Sequence, residues 1–296
     1  MTRASKQRRK SESKQSDISA RDLHQAPSSV RRITEHEVED IEERSAPRTP
    51  VIYEIVSRLG RDEMVRPATS LWWSGVAAGL SISFSLLAEA ILQLHLPDVL
   101  WRPLVMDFGY SVGFILVVLG RQQLFTETTI TVVLPVMAHF TLRNLSLLGR
   151  MWVIVLVANL AGTLFAAAFC SFTPVLTPDL RATMIDISRN ILKDDLPATF
   201  FRAISAGFLM AAMVWLIPSA DRAQIVVITL MTYLIAIGGF PHIVAGSMEA
   251  FMLAIDDQLS WGSMTSHFML PVLVGNIVGG TALFALLSYA QVMKEI

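Results

Sequence analysis

One histidine stands where it could do chemistry inside a long apolar stretch. His242 follows the break Gly-Gly-Phe-Pro, whereas His95, His139 and His267 stand near the ends of apolar stretches. An ionisable group within a membrane span is a candidate functional residue, because an uncompensated charge there costs about 2.5–3.5 kcal/mol or more. A protonatable imidazole at His242 can supply positive potential or a proton. The alternative is a neutral imidazole that only hydrogen-bonds the backbone of the break.

Other reactive groups are sparse. Cys170 is the single cysteine, so neither a disulfide framework nor a paired-thiol metal site is available. No His-Glu-x-x-His, Gly-x-Ser-x-Gly or phosphate-binding glycine-rich loop occurs. We therefore expect no enzyme activity, no cofactor and no metal.

The composition shows which kind of domain must position these residues. Apolar residues make up 53% of the 296 positions, and charged residues only 17%. Residues 1–66 hold 14 basic and 12 acidic residues, whereas residues 67–296 hold 10 and 13. So few charges cannot cover a water-facing surface of 230 residues, which excludes a soluble enzyme of two ordinary domains. The net charge of −1 gives no indication of a nucleic-acid partner.

We predict three parts. Residues 1–48 begin basic, turn acidic and bury too little apolar surface to offset their ordering entropy, so we expect a disordered cytoplasmic tail. Residues 49–66 are predicted to form an amphipathic juxtamembrane helix, with a partly ordered linker as the alternative. Its apolar residues at helical spacing are Ile52, Ile55, Val56 and Leu59. Residues 67–296 form the predicted transmembrane domain.

Six apolar stretches in that domain are each long enough, or nearly so, to cross about 30 Å of hydrocarbon. They are residues 71–94, 105–124, 151–172, 199–218, 225–238 and 264–293. The second and fifth are each followed by an apolar piece too short to cross, which predicts interrupted helices. The distribution of arginine and lysine places both termini in the cytoplasm.

The two halves of the domain resemble each other. Asn159 and Asn276 stand in similar Asn-x-x-Gly contexts 117 residues apart, and Phe125 and Phe240 mark breaks 115 residues apart. A duplicated unit of three spans puts its two copies in opposite orientations, with a midplane site at the paired breaks. We expect each asparagine to hydrogen-bond the broken backbone of the opposite repeat. The alternative is that both Asn-x-x-Gly segments are only small-residue helix contacts.

These features resemble the formate/nitrite transporter family, whose members look like aquaporins and assemble as pentamers with one pore per subunit. The resemblance spans about residues 70–290 and rests on Leu-Phe-Thr at 124–126, Gly-Phe-Pro-His at 239–242 and the two asparagines. It implies an all-α membrane protein of six transmembrane helices in two inverted three-helix repeats, the second and fifth helices being interrupted. The chain is similar to a divergent bacterial inner-membrane member with a long polar N-terminal tail.

The resemblance also implies roles for particular residues. The threonine hydroxyl of the first break faces the substrate, and His242 is the central pore histidine. The implied pore residues are Leu124, Phe125, Thr126, His242, Tyr110, Ile235 and Phe240. Two departures stand out: the asparagine that the family has in span four is Gly207 here, and the lysine before that span has no aligned match, although Arg189 and Lys193 are close.

Charged residues near the breaks leave alternatives open. Arg121 and Glu127 flank the first break, where they either pair or line a vestibule in which Arg121 concentrates anions. Glu89 and Glu249 lie within or near apolar stretches, where they could bond backbone or a neighbouring subunit. We do not assign those two to the pore.

The leading interpretation is transport of a small monovalent anion or its weak acid, such as formate or nitrite, by a homopentamer in the bacterial cytoplasmic (inner) membrane. A bare anion in a narrow apolar pore suffers a large desolvation penalty, so polar groups must replace its water or neutralise it. The expected partners are this solute, membrane lipid and further copies of the chain. The alternative is a protein that retains the fold but passes a non-anionic solute or serves a structural or envelope-stress role.

Overall fold

The computed structural model describes residues 46–295, and every regular element within them is helical. Apart from two short 3-10 turns, the helices in this range are α1 (Thr49–Met64), α2 (Ala68–His95), α3 (Arg102–Leu119), α4 (Phe125–Ala138), α5 (Leu142–Phe172), α6 (Pro178–Ser188), α7 (Leu196–Ser219), α8 (Gln224–Ile237), α9 (Ile243–Ile255) and α10 (Trp261–Val292). The all-α expectation is confirmed. The tail predicted over residues 1–48 lies, except for its last three residues, outside the described residues.

Within residues 46–295, five helices are long and apolar enough to cross a membrane, namely α2, α3, α5, α7 and α10. The stretch predicted as a fifth span becomes α8, which has only 14 residues. At 1.5 Å per residue that helix is about 21 Å long, less than the roughly 30 Å of a hydrocarbon core. The arrangement as six spans in two inverted repeats therefore stays a prediction.

Two breaks interrupt the helical pairs α3/α4 and α8/α9, and their backbones follow the same pattern. In the first break, the N–H groups of Gly120 and Gln122 donate to the carbonyl groups four and five residues earlier, at 3.0 Å each. Gly238 and Phe240 make the same bonds 118 residues later, at 3.1 and 3.0 Å. This is how a helix ends when its last carbonyls are satisfied by a tight turn.

One residue of each break has a left-handed backbone, Arg121 with φ 53° and Gly239 with φ 59°. Glycine adopts this conformation without steric cost, whereas arginine does not. The structural offset between the breaks is thus 118 residues, close to the 117 that separates the two asparagines. Phe125 and Phe240, which are 115 residues apart, are not equivalent positions, because Gln122 is the counterpart of Phe240.

Glycines allow the long helices to approach closely. A Cβ atom on Gly79 of α2 would lie 2.2 Å from the carbonyl oxygen of Asn159 on α5. A Cβ atom on Gly207 of α7 would lie 2.2 Å from the carbonyl oxygen of Asn276 on α10. Each asparagine therefore stands on a helix that is in backbone contact with a glycine of its neighbour. This close contact holds the polar side chains of Asn159 and Asn276 at the breaks.

Helix α1 packs on the protein through one face and leaves Ile55 and Leu59 of its predicted apolar face exposed. Its buried residues are Tyr53, Val56, Ser57, Gly60 and Met64, while Val51, Ile55 and Leu59 are exposed. The buried face packs on α4, where the hydroxyl of Tyr53 donates to the carbonyl of Leu134 at 3.3 Å. Helix α1 therefore packs on α4 of the first interrupted pair through one face. Its residues Val51, Ile55 and Leu59 form a second, exposed apolar stripe.

Candidate functional site

The first break is held by Asn159 of α5. Its side-chain oxygen accepts a hydrogen bond from the backbone N–H of Phe125 at 2.9 Å. Its side-chain nitrogen donates to the carbonyls of Gly75 and Gln123, both at 2.8 Å. The first N–H of α4 and a carbonyl of the break are thereby satisfied in the protein interior, where water cannot do so.

Asn276 of α10 makes the corresponding bonds at the second break. Its oxygen accepts from the N–H of Ile243 at 2.8 Å, and its nitrogen donates to the carbonyls of Ala203 and Pro241 at 2.8 and 3.1 Å. The expectation that each asparagine bonds the opposite repeat is wrong. Both bond the break of their own half, because the glycine contacts place each helix beside the break that precedes it in the chain.

The two breaks meet at Thr126 and His242. The Thr126 hydroxyl oxygen and the His242 Nε2 atom lie 2.7 Å apart, and both side chains are buried. Thr126 belongs to the first turn of α4, and His242 is the residue immediately before α9. The contact therefore joins the starting ends of two half-helices whose residues are 116 positions apart.

Hydrogen bonding defines which nitrogen of His242 carries a proton. The backbone N–H of Ala245 donates to Nδ1 at 3.2 Å, so the imidazole is the N-cap of α9. A nitrogen that accepts a hydrogen bond holds no proton, so the neutral ring carries its hydrogen on Nε2 and donates it to Thr126. A second proton on the ring would break the cap.

Aromatic and aliphatic side chains surround this contact. The ring of Phe114 lies edge-on to His242 at a centroid distance of 5.1 Å and contacts the ring of Tyr110 at the same distance. Phe114, Leu124 and Phe125 are all buried. These apolar groups lower the local dielectric on their side of the Thr126–His242 pair, which strengthens hydrogen bonds made there.

A cavity of about 370 Å³ leads to one side of His242. Tyr110, Ile235 and Phe240 line it together with the histidine. Glu89 and Glu249, which the sequence did not assign to the pore, line it as well. The Glu89 side chain is only 6% exposed.

The two charged residues at the first break do not form an ion pair within the part of the chain that the structure describes. Arg121 is exposed, whereas Glu127 is half-buried with one carboxyl oxygen enclosed and without a partner. Glu63 of α1 lies nearby and accepts from the Gln123 side chain at 2.9 Å and from the Thr131 hydroxyl at 3.1 Å. Helix α1 is thereby joined to the break and to α4.

A sequence model described as Formate/nitrite transporter matches residues 50–290. The chain belongs to the formate/nitrite transporter family. The resemblance seen in its sequence is thereby confirmed, and the family is one of transporters rather than enzymes.

Among relatives of this formate/nitrite transporter family member, inner membrane protein YfdC of Escherichia coli (strain K12) is 43% identical over 258 residues, covering 87% of this chain and 83% of that protein. Formate channel FocA of Haemophilus influenzae is 28% identical over 247 residues, covering 73% and 84%. A solved structure described as a pentameric formate channel with formate bound has a TM-score of 0.64 at 21% identity, covering 77% of this chain and 98% of that one. At that identity the likeness shows a shared fold.

Sequence reasoning missed three residues of this family member's site. Phe114 is one apolar residue among many in its stretch, and no local signal distinguishes it. Glu89 and Glu249 could have been found from the sequence, since carboxyl groups in apolar helices are rare and usually face a cavity. Their position relative to His242 depends on how three helices are rotated about their axes, which spacing alone does not determine.

Proposed function

We propose that this protein transports a small monovalent anion or its conjugate weak acid, of the formate or nitrite class, through a pore within each subunit. The contact of Thr126 with His242 at the junction of the two breaks carries the proposal. Membership of the formate/nitrite transporter family supports it, as do relatives named formate channel and nitrite transporter.

The chemistry of the contact suits such a solute. An anion that leaves water for an apolar passage needs hydrogen-bond donors to replace its hydration. Because the Nε2–H of His242 donates to the Thr126 oxygen, the hydroxyl hydrogen of Thr126 is left to donate to a solute at this place. Both half-helices also begin there, so the partial positive charges of their first N–H groups add to the potential.

We assign the pore to the residues that the family resemblance implies. Those residues are Leu124, Phe125, Thr126, His242, Tyr110, Ile235 and Phe240. Asn159 and Asn276 are proposed to support the helix breaks, which their hydrogen bonds to Phe125 and Ile243 favour. Arg121 and Glu127 are proposed to line a vestibule at the first break, as separate charges and not as an ion pair.

The proposed assembly is a homopentamer in the bacterial inner membrane, with both termini in the cytoplasm. The solved channel described as pentameric supports the assembly, and the name of the relative in Escherichia coli supports the location. Six spans in two inverted repeats remain our proposed topology. The backbone pattern that recurs after 118 residues at the breaks favours it, with α8 and α9 together forming the fifth span.

Stopped-flow uptake of formate and of nitrite into vesicles that contain the purified protein tests the function. We expect uptake faster than in protein-free vesicles at several pH values. A flat response to both solutes would overturn the proposal and favour a structural role for the retained fold.

A further inference from the structure

Helices α2 and α5 lie side by side and run in the same direction. A Cβ atom on Gly75 of α2 would lie 2.7 Å from the Cβ atom of Ala158 on α5. A Cβ atom on Gly79, one turn later, would lie 2.9 Å from the Cα atom of Gly162. Residue numbers therefore rise together along the two helices, so both begin at the same side of the membrane domain.

Two arginines meet at that side. Arg66 directly precedes Pro67 and the start of α2, and Arg150 directly precedes the apolar stretch of residues 151–172 in α5. The Nη2 group of Arg150 donates to the backbone carbonyl of Arg66 at 3.2 Å. The two residues are therefore neighbours where the hydrocarbon core begins, within reach of lipid headgroups.

The charge at this place is basic and is not balanced by ion pairs. Neither arginine takes part in an ion pair among the described residues. Glu63 lies within electrostatic range of Arg66, but its carboxyl group already accepts hydrogen bonds from Gln123 and Thr131. Residues 142–150 contain two arginines and no acidic residue. An anion here meets two guanidinium groups, each of which carries five N–H donors.

An exposed apolar stripe of α5 continues from Arg150 into the membrane. Val153 and Val157 stand three and seven residues after Arg150, so they share its face of the helix, and they are 64% and 48% exposed. Trp152 points elsewhere, since its ring nitrogen donates to the carbonyl of Thr128. At 1.5 Å per residue the two valines lie about 5 and 10 Å beyond the arginine, within the roughly 15 Å of one leaflet. An acyl chain that packs on this stripe places its headgroup at Arg150.

We propose that Arg66 and Arg150 bind the phosphate of an anionic phospholipid, one acyl chain of which packs along Val153 and Val157. Guanidinium groups bind phosphate oxygens through paired N–H donors, which suits arginine to this ligand. A zwitterionic lipid carries a cationic amine beside its phosphate, and two arginines repel that amine. The site therefore selects an anionic headgroup. The inference goes beyond the proposed function, because it depends on neither the solute nor the pore.

Native mass spectrometry of the full-length protein in an uncharged detergent tests the site. The probes are dioleoyl phosphatidylglycerol, which is anionic, and dioleoyl phosphatidylcholine, which is zwitterionic and has the same acyl chains. For the wild type we expect phosphatidylglycerol to bind on the order of 25-fold tighter, since each arginine at a membrane surface contributes about fivefold to the binding of anionic lipid. Raising the ionic strength should reduce this preference, because salt screens exposed charges.

Single variants of the two arginines locate the site. Arg66→Gln and Arg150→Gln should each weaken the binding of phosphatidylglycerol about fivefold. Arg66→Gln retains the hydrogen bond from Arg150, which uses the backbone carbonyl of residue 66, so this variant is decisive even if Arg150→Gln does not assemble. Arg102→Gln is the matched control, since Arg102 also begins a helix but is paired with Asp98 at 3.0 Å. It should leave lipid binding unchanged.

Three results would overturn the inference. The first is equal affinity of the wild type for the two lipids, or unchanged binding of phosphatidylglycerol in both variants. The second is displacement of phosphatidylglycerol by an equal concentration of glycerol 3-phosphate, which would identify a site for soluble phosphate without a role for the stripe. The third is a smaller number of subunits in Arg66→Gln than in the wild type in lipid-free detergent, which would identify this face as a contact between copies.

Discussion

The hydroxyl oxygen of Thr126 and the Nε2 atom of His242 lie 2.7 Å apart, and the same imidazole caps α9 through Nδ1. The histidine therefore has two separable roles, one at each nitrogen. One role is structural, because it completes the start of a helix inside the protein. The other presents a hydrogen-bond donor where the two breaks meet.

Two substitutions at His242 separate these roles. His242→Asn keeps a good N-cap for Ala245 but is too short to reach Thr126, so assembly should persist while flux falls. We expect roughly a tenfold fall in formate flux, the factor for one hydrogen bond of about 1.4 kcal/mol. His242→Phe loses the cap as well and should lower thermal stability by about 1 kcal/mol. Unchanged flux in an assembled His242→Asn protein would contradict the functional role.

Asn159 and Asn276 should be required for stability to a similar extent. Replacing either by Leu leaves one buried N–H and one carbonyl at its break without their side-chain partner, each costing about 1–3 kcal/mol. We expect both single variants to melt at clearly lower temperatures in detergent, as followed by size exclusion after heating. The control is Asn144→Leu, whose half-buried side chain donates only to the backbone carbonyl of His139 and stands at no break. A normal melting temperature for Asn159→Leu would show that the break is held by packing alone.

Gly207 is required by the contact between α7 and α10. A Cβ atom there would lie 2.2 Å from the carbonyl oxygen of Asn276, so Gly207→Ala should separate the helices and destabilise the protein by several kcal/mol. Gly149→Ala is the matched control, since nothing lies within 4 Å of a Cβ atom at that helical position. It should be neutral or stabilising by up to about 1 kcal/mol. Equal melting temperatures for the two variants would refute the close contact.

Restoring the asparagine that the family has at position 207 should be more disruptive than alanine. The larger side chain meets the same carbonyl oxygen and adds amide groups that need partners. We expect Gly207→Asn to assemble less well than Gly207→Ala in the same size-exclusion measurement. An assembled and stable Gly207→Asn protein would show that α7 can shift to admit the family residue.

The attachment of α1 should depend on pH through Glu63. Burial raises the pKa of Glu63 above its ordinary value of 4.5, while hydrogen bonds from Gln123 and Thr131 act in the opposite direction. A carboxyl whose pKa is raised on docking stabilises the docked helix fully below its undocked pKa. That contribution is lost as the pH rises through the raised value.

Hydrogen exchange of residues 49–64 checks this dependence when variant and wild type are compared at the same pH. Glu63→Gln mimics the protonated group, so it should protect α1 better than the wild type at neutral pH and equally well below about pH 4.5. Glu54→Gln is the control, because Glu54 is an exposed partner of Arg58 and Arg61 on the same helix. If the ratio of the α1 exchange rates in Glu63→Gln and in the wild type stays constant with pH, Glu63 is not the titrating group.

The sequence by itself determined the class of the protein, the positions of both breaks and the polar residues that stand at them. These features follow from local composition, since long apolar stretches must form helices in a membrane and a break there needs polar support. His242 and the two asparagines could be selected for this reason before any contact was known.

Only the tertiary structure decided which groups meet. It joined each asparagine to the break of its own half, left Arg121 and Glu127 without an ion pair among the described residues, and selected the face of α1 that packs on the protein. It also brought Glu89 and Glu249 into the cavity beside His242. The physical reason is that spacing gives the position of a side chain along a helix, whereas the rotation of that helix and its distance from its neighbours arise from packing of the whole domain.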